Sequence, residues 1–359
     1  MGGKKMAENP YSLMFGRIPK QYISRPVETD DIISDFYADI PSQTVYIITG
    51  IRGQGKTVLL TDIEKRLSQD KKWTVVNLIP SEPDLVDALA KRLLRRQTLK
   101  KIFMGTSVDI SLFGLNLHLS NGGEIYDPAS EIEDVLQEME RHGRRLLVTI
   151  DEASKTEQMR TFAGTFQSLM RRDLPIFLLM TGLYENIESL QETKDLTFLY
   201  RAPKVMLSPL DIGRAAENYE HVLSLPQDQA VRYASETKGY SFAFQTLGYY
   251  LWRYGNDGEK AVSDAIDYVG RYSYRKIYAE LSEKEKKIIQ VIAKSGEGRV
   301  SDILRLGNLT NGEWSPYRRR LIDKDILTAK KRGYVSFTLP WFGRFVRNEL
   351  LAEDTLNVD

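Results

Sequence analysis

An eight-residue stretch near the start of the chain combines glycines, a lysine and a hydroxyl at fixed spacing. Residues 50–57 read GIRGQGKT and fit the pattern G-x-x-x-x-G-K-[ST]. Glycines allow backbone conformations that a Cβ forbids, so consecutive N–H groups can point at phosphate oxygens near the positive end of a helix. Lys56 has the length to reach the β- and γ-phosphates of a nucleotide, and the Thr57 hydroxyl is suited to Mg²⁺. The predicted nucleotide contacts are Gly50, Arg52, Gly53, Gln54, Gly55, Lys56, Thr57 and Val58.

The flanking residues place this stretch, here called the phosphate loop (residues 50–57), between a strand and a helix. Residues 44–49 are mostly apolar or β-branched, as in a buried strand of a parallel sheet. Residues 58–67 carry leucine and isoleucine at helical spacing. A glycine-rich turn that merely precedes a helix is the alternative, but strand, loop and helix together favour phosphate binding.

A second motif supplies paired carboxylates. The mostly apolar residues 146–150 are followed by Asp151 and Glu152, which predicts a strand with its acids at the carboxyl edge of the sheet, where ligands bind in open α/β folds. Asp151 is predicted to hold the Mg²⁺ shell, and Glu152 to orient and deprotonate the attacking water. By itself, an apolar run that ends in Asp-Glu is weak evidence of function, but in a chain that also has a phosphate loop it indicates nucleotide hydrolysis.

Two further residues are candidates for the same chemistry, and each has a structural alternative. Thr181 follows the apolar residues 176–180 and could contact the γ-phosphate or the attacking water, or it could only begin a turn with Gly182. Arg201 precedes a predicted strand at residues 204–207. It could neutralise transition-state charge on a neighbouring subunit's nucleotide, or form a structural salt bridge.

The amino-acid composition indicates an ordinary globular protein and disfavours several kinds of site. The chain has 359 residues, 42% hydrophobic and 28% charged, which predicts two or three ordinary globular domains. The formal net charge is +1, so any basic surface is local. There are no cysteines and only three scattered histidines, which disfavours disulfides and protein-built transition-metal sites. With no apolar leader or membrane-length apolar run, we expect a cytoplasmic protein without a membrane partner.

The C-terminal pattern is typical of a winged helix-turn-helix. Residues 283–294 and 300–306 predict two helices, and Ser315 with Pro316 predicts the start of a third, as N-cap and first-turn proline. Residues 326–330 and 334–338 then flank the basic turn 331–333 as a hairpin.

This region also carries a local excess of positive charge. Residues 299–347 contain eleven basic and four acidic side chains, an excess of about +7. Trp314, Tyr317 and Leu321 share one face of the third helix, which directs its arginines outward. We therefore expect contacts with double-stranded DNA from Arg319, Arg320, Lys330, Lys331 and Arg332. A winged helix that docks on protein is the alternative.

The predicted organisation is an N-terminal linker (1–40), an α/β core (41–208), a helical lid (209–275) and the winged helix (276–359). The core is predicted to be a parallel sheet with helices on both faces. Within it we expect a long helix over residues 82–103 and an inserted β-hairpin near residues 107–120.

In this order of motifs, the chain resembles the P-loop ATPases of the AAA+ superfamily over residues 9–345. It is most similar to archaeal-type ATPases that border Orc-type initiators and STAND signalling ATPases. The resemblance implies ATP and ADP as ligands, with Mg²⁺, and a homo-oligomer assembled through nucleotide bound between subunits. Two features differ: Orc-type members usually carry a lid arginine near Gly239, and STAND members a proline at the position of Ser241. This chain has neither, which predicts slow hydrolysis.

The expected function is therefore that of an ATPase whose nucleotide state controls oligomerisation and DNA binding. Two alternatives stay open. One is a STAND-type signalling switch whose winged helix docks on protein. The other is an ATP-dependent loader or targeting subunit of a replication or mobile-element machine, in which a protein partner matters more than the DNA sequence.

Overall fold

The computed structural model describes residues 8–14, 16–96, 99, 127–193, 196–255, 257–296 and 298–356. The chain forms two compact units, each built from separated segments. The sheet unit comprises Pro26–Thr49 and Lys56–Met206. The helical unit comprises Met1–Arg25, Gly50–Gly55 and Leu207–Asp359.

The sheet unit is built on five parallel strands in the order β2-β3-β4-β1-β5. The strands are β1 (Val45–Thr49), β2 (Trp73–Leu78), β3 (Arg145–Ile150), β4 (Ile176–Gly182) and β5 (Lys204–Met206). Every residue of β1 and β4 is buried, as expected where helices cover both faces of a parallel sheet. The predicted α/β class is confirmed.

Seven helices of the described residues accompany this sheet. They are α1 (Pro26–Tyr37), α2 (Lys56–Ser68), α3 (Leu85–Leu94), α4 (Pro128–Arg141), α5 (Glu157–Met170), α6 (Tyr184–Gln191) and α7 (Thr197–Arg201). Aspartates begin two of them: Asp84 accepts hydrogen bonds from the amides of Val86 and Asp87, and Asp127 precedes a proline at the first turn of α4.

The helix predicted over residues 82–103 was too long. It begins at Leu85 because Asp84 caps it, and it ends at Leu94, where the amide of Arg95 bonds back to the carbonyl of Lys91. The apolar periodicity continues past this point, but periodicity alone does not locate a helix end. The hairpin predicted near residues 107–120 lies outside the described residues.

The helical unit contains nine helices among its described residues. They are α8 (Ile212–Leu223), α9 (Gln227–Glu236), α10 (Ser241–Tyr254), α11 (Gly258–Val269), α12 (Arg275–Ala279), α13 (Glu283–Ser295), α14 (Val300–Gly307), α15 (Asn311–Asp323) and α16 (Phe342–Leu356). A π-helical turn, Gly270–Tyr274, joins α11 to α12.

A short antiparallel pair, β6 (Leu327–Thr328) and β7 (Ser336–Phe337), follows α15. Beside it, the Val335 amide bonds to the Gly298 carbonyl and the Val300 amide to the Gly333 carbonyl, which ties the segment before α14 to the hairpin. Trp314 and Leu321 of α15 are buried in the same apolar cluster as Ile288 and Ile303. The described order is therefore three helices and a hairpin around one core.

The start of α15 differs from the prediction. The helix begins at Asn311 because Thr310 and Glu313 form a capping box: the Thr310 hydroxyl accepts from the Glu313 amide, and the Glu313 carboxylate accepts from the Thr310 amide at 2.9 Å. Two backbone donors are satisfied there, against one for a Ser315 cap. Pro316 consequently lies inside the helix, and Ser315 is not its N-cap.

In the described part of the chain, no helix combines the length and apolar character needed to cross a membrane.

The turn between α15 and β6 makes stability depend on pH. Asp325 has a left-handed backbone (φ 56°), and burial raises the pKa of its carboxyl from 3.8 to about 6. The folded state therefore holds this proton more tightly than the unfolded state, so the free energy of unfolding falls as pH rises from about 4 to about 6. Asn tolerates the same backbone without a charge. We expect Asp325→Asn to be more stable than wild type at pH 8 by about 1–2 kcal/mol, after discounting for partial solvent screening.

Denaturant unfolding of both proteins at pH 8 and pH 5 measures this effect. The advantage of the variant should shrink at pH 5, because there the wild-type carboxyl is mostly protonated when folded. An advantage equal at both pH values would contradict a raised pKa.

Candidate functional site

The phosphate loop connects β1, a central strand of the sheet, to the first residue of α2. Gly50, Gly53 and Gly55 have φ values of 152°, 80° and 100°, which L-residues with a Cβ rarely adopt. Lys56 and Thr57 are the first two residues of α2, and both are half-buried. The loop therefore has the backbone and helix-start geometry that phosphate binding requires.

Beside the start of α2, one hydroxyl and one carboxylate are in direct contact. The Thr57 Oγ1 donates to Asp151 Oδ2 at 2.8 Å. Asp151 follows the last residue of β3, and the parallel register pairs Ile150 with Met180 of β4. Two motifs separated by 94 residues thus meet at the carboxyl edge of the sheet.

Thr181 binds the other oxygen of the same carboxylate. Its Oγ1 donates to Asp151 Oδ1 and accepts from the Glu152 amide at 3.1 Å. The Thr181 side chain is completely buried. The hydroxyl therefore orients Asp151 and the backbone of Glu152, a role that the sequence did not indicate.

Glu152 has an exposed side chain on a constrained backbone. Its φ of 57° lies in the left-handed region, which is uncommon for a residue with a Cβ. The Glu152 amide bonds to both Asp151 Oδ1 and Thr181 Oγ1 at 3.1 Å, and these bonds hold that conformation. As a result, Asp151 is held inward while the Glu152 carboxylate is left open to solvent.

The Thr57 hydroxyl and the Asp151 carboxylate are the kind of ligands that suit Mg²⁺ bound together with a phosphate, rather than a metal ion held by protein side chains alone. No group of three or more His, Asp or Glu side chains able to hold a metal occurs among the described residues. Mg²⁺ usually keeps several waters and takes one or two protein ligands beside substrate phosphates. One carboxylate and one hydroxyl in contact at the end of a phosphate loop match that pattern.

Arg201 is the last residue of α7 and has an exposed side chain. Tyr200 beside it is 73% exposed. No ion pair to Arg201 is found within the described ranges. The alternative role of Arg201 as a structural salt bridge is therefore not supported by these residues.

The C-terminal basic residues are exposed around α15 and the β6–β7 hairpin. On α15, Arg319 lies 3.9 Å from Asp323, and the Arg320 guanidinium lies over the Tyr317 ring at 5.6 Å. At the hairpin tip, the Lys331 ammonium lies 4.2 Å from the centre of the Tyr334 ring. Lys330 and Arg332 flank it and are also exposed. The structure thus presents all five predicted DNA contacts at the surface.

Sequence reasoning missed several hydrogen bonds to the carbonyls of the phosphate loop, among them those from Tyr240 and Arg25. Within the helical unit, the Tyr240 Oη donates to the Arg52 carbonyl at 2.7 Å, and the Arg25 Nη2 donates to the Gln54 carbonyl at 3.1 Å. Both side chains are buried. Nothing in their local sequence signals these contacts, because Tyr240 is 188 residues away from its partner.

Comparisons with known proteins agree with this fold. Residues 271–346 match a family model described as a domain of unknown function, DUF8462. A search of curated proteins finds no match. Among solved structures, the chain is similar to a Walker-type ATPase of Pyrococcus abyssi at 14% identity and a TM-score of 0.63, covering 91% of this chain and 97% of that one.

The chain is also similar to the ORC2 protein of Aeropyrum pernix, solved as ADPNP-ADP complexes. The identity is 14% and the TM-score 0.59, covering 95% of this chain and 98% of that one. Similarity at this identity establishes the fold alone. The chain therefore has the fold of archaeal Walker-type and Orc-like P-loop ATPases, as the resemblance predicted.

The contact between Thr181 and Asp151 leads to a prediction about stability. Thr181→Val keeps the shape but leaves a half-buried carboxylate oxygen and an amide without this partner, so we expect a loss of about 1–3 kcal/mol in the free energy of unfolding.

Thr49→Val is the matched control. Thr49 lies at the end of neighbouring β1, is completely buried, and its Oγ1 has no hydrogen-bond partner among the described residues. Its replacement should leave stability unchanged or raise it. Denaturant unfolding compares the two variants, and equal losses would contradict a positioning role for the Thr181 hydroxyl.

Proposed function

We propose that the protein binds and hydrolyses ATP at the phosphate loop. The observation that carries this proposal is the 2.8 Å contact between Thr57 and Asp151, because it joins the loop motif to the acidic motif at one sheet edge. The left-handed glycines of the loop and the likeness to P-loop ATPases in fold support it.

In this proposal, the backbone amides of the loop and the Lys56 ammonium bind the nucleotide phosphates. The predicted contacts are Gly50, Arg52, Gly53, Gln54, Gly55, Lys56, Thr57 and Val58. Thr57 and Asp151 would hold Mg²⁺, whose charge offsets the negative charge of the phosphate oxygens. Thr181 keeps Asp151 oriented through its bond to Oδ1.

Glu152 is the proposed general base. Its carboxylate is exposed, while hydrogen bonds to Asp151 and Thr181 fix its backbone, so it can accept a proton from a water on the phosphate side. Arg201 is proposed to act on the nucleotide of an adjoining copy, since its guanidinium is exposed at the end of α7. This role assumes a homo-oligomer formed through the nucleotide.

Two substitutions separate binding from hydrolysis. Lys56→Ala removes the cation that contacts the phosphates, so we expect ATP affinity to fall at least tenfold. Glu152→Gln keeps the shape but removes the base, so we expect ATP affinity near wild type and hydrolysis reduced about 100-fold or more. Titration of a fluorescent ATP analogue and a phosphate-release assay measure the two effects.

Lys155→Ala is the control for loss of a nearby exposed cation, and it should change neither quantity. Full nucleotide affinity in Lys56→Ala would contradict the site. Wild-type turnover in Glu152→Gln would remove Glu152 from the role of base.

We also propose that residues 276–359 form a winged helix that binds double-stranded DNA under control of the nucleotide state. Support comes from the exposure of Arg319 and Arg320 on α15 and of Lys330, Lys331 and Arg332 at the hairpin. These five lie within residues 299–347, which carry an excess charge of about +7. Three basic residues at one hairpin tip fit contacts to phosphates rather than to base edges.

The salt dependence of DNA binding tests this proposal. The triple variant Lys330→Ala, Lys331→Ala, Arg332→Ala should bind a labelled duplex at least tenfold more weakly than wild type at 100 mM salt. It should also show a smaller dependence of log affinity on log salt, by about 1 to 3 units of slope. Wild-type binding should differ between ATP, ADP and no nucleotide.

A triple variant with the same loss of charge provides the control: Lys284→Ala, Lys287→Ala and Lys294→Ala on α13, all exposed. It should bind like wild type. Equal losses in both variants would indicate bulk electrostatics only. No wild-type binding in any nucleotide state would favour the signalling switch, in which the winged helix docks on protein.

A further inference from the structure

Three successive carbonyls of the phosphate loop accept hydrogen bonds from three successive residues at the start of α10. The Tyr240 Oη donates to the Arg52 carbonyl at 2.7 Å and the Phe242 amide to the Gly53 carbonyl at 3.1 Å. The Ser241 Oγ donates to the Gln54 carbonyl at 2.8 Å. All six residues belong to the helical unit. We call this set of contacts the clasp (residues 52–54 with 240–242).

The clasp requires glycine at one position of the loop for a reason unrelated to phosphate. A Cβ on Gly53 would lie 2.2 Å from the Tyr240 Oη and 3.1 Å from the Phe242 Cβ. Tyr240 is 2% exposed and cannot withdraw into solvent. Gly53 therefore serves both the left-handed backbone of the loop and the close approach of the tyrosine.

A fixed carbonyl also fixes the next amide, because the peptide unit is planar and trans. The carbonyl of Arg52 shares a peptide plane with the amide of Gly53, and the carbonyl of Gln54 with the amide of Gly55. Holding these oxygens against α10 turns the two N–H groups the opposite way. The amides of Gly53 and Gly55 are thus oriented for an anion by residues that need not touch it.

The same tyrosine connects the loop to the segment before α13. Since the Tyr240 hydroxyl gives its only proton to Arg52, the Ser273 hydroxyl donates to Tyr240, at 2.7 Å. The Tyr240 ring stacks on Tyr274 with 6.1 Å between centres. The Arg52 side chain pairs with Glu280 at 3.3 Å. The loop is therefore tied to both ends of residues 273–280.

We propose that Tyr240 is a positioning residue for nucleotide binding, and that the clasp couples occupancy of the phosphate loop to residues 270–281, which lead into the C-terminal helices. The inference rests on the proposed nucleotide function. An anion that selects the clasped arrangement of the Gly53 and Gly55 amides also stabilises the bonds to Ser273 and Glu280. By linkage, ordering that segment raises nucleotide affinity by the same factor.

Tyr240→Phe tests the coupling with the smallest change. It keeps the buried ring and removes the bonds to Arg52 and Ser273, so we expect ATP affinity to fall about tenfold, the equivalent of one buried hydrogen bond. Tyr219→Phe is the matched control. Its hydroxyl is fully buried and donates to the Phe244 carbonyl at 2.7 Å, within α10 but away from the loop. The two variants should lose similar thermal stability, whereas only Tyr240→Phe should lose affinity.

Hydrogen exchange of residues 270–281 with and without ATP supplies the second measurement. Saturating ATP should slow exchange there in wild type and in Tyr219→Phe, and much less in Tyr240→Phe at matched occupancy. Should Tyr240→Phe melt below the assay temperature, Ser241→Ala is the replacement variant. It removes the Ser241 bond to the Gln54 carbonyl while the bond from Arg25 remains, so it should weaken ATP binding about threefold.

Wild-type affinity and wild-type ATP protection in folded Tyr240→Phe, or in Ser241→Ala where that variant replaces it, would overturn the inference and leave the proposed function standing. A wild-type protein that binds no nucleotide would overturn both.

Discussion

The parallel register of the sheet is the constraint on which the candidate site depends. Because β1, β3 and β4 are adjacent and run the same way, the residues that follow them emerge at one edge. Ile150 pairs with Met180, so Asp151 and Thr181 come next on neighbouring strands and their side chains meet. A register shift of one residue would turn one of these side chains to the opposite face and separate the hydroxyl from the carboxylate.

This dependence explains why much of the site was predictable. The phosphate loop and the Asp151–Glu152 pair are each encoded in contiguous residues next to an apolar strand, so local pattern and sheet geometry together predict that they converge. The buried face of α15 was predictable for the same reason: Trp314 and Leu321 are seven residues apart, which places them on one side of a helix.

The features that the sequence did not reveal depend on competing local interactions or on contacts between residues far apart in the chain. Both Thr310-x-x-Glu313 and Ser315-Pro316 resemble a helix start, and the reciprocal capping box satisfies more backbone donors than a lone serine. The role of Thr181 depended on where its hydroxyl points, which no sequence spacing specifies. Tyr240 reaches a partner 188 residues away, and neither residue belongs to a recognisable pair.

The phosphate loop consequently meets two demands with one backbone. The proposed function requires its amides to point at an anion, while its carbonyls are already held by residues at the start of α10. Trans peptides make these two requirements compatible, because each C=O and the following N–H point in opposite directions. The lid arginine expected of Orc-type members is absent near Gly239, yet the residues that follow this glycine bond directly to the loop. Under the proposed coupling, nucleotide binding would therefore act on residues 270–281 through the backbone of the loop rather than through a side chain that contacts the γ-phosphate. Such a connection responds to any ligand that orders the loop, so the difference between ATP and ADP would have to arise at the carboxylate edge, where Asp151, Glu152 and Thr181 are joined by hydrogen bonds.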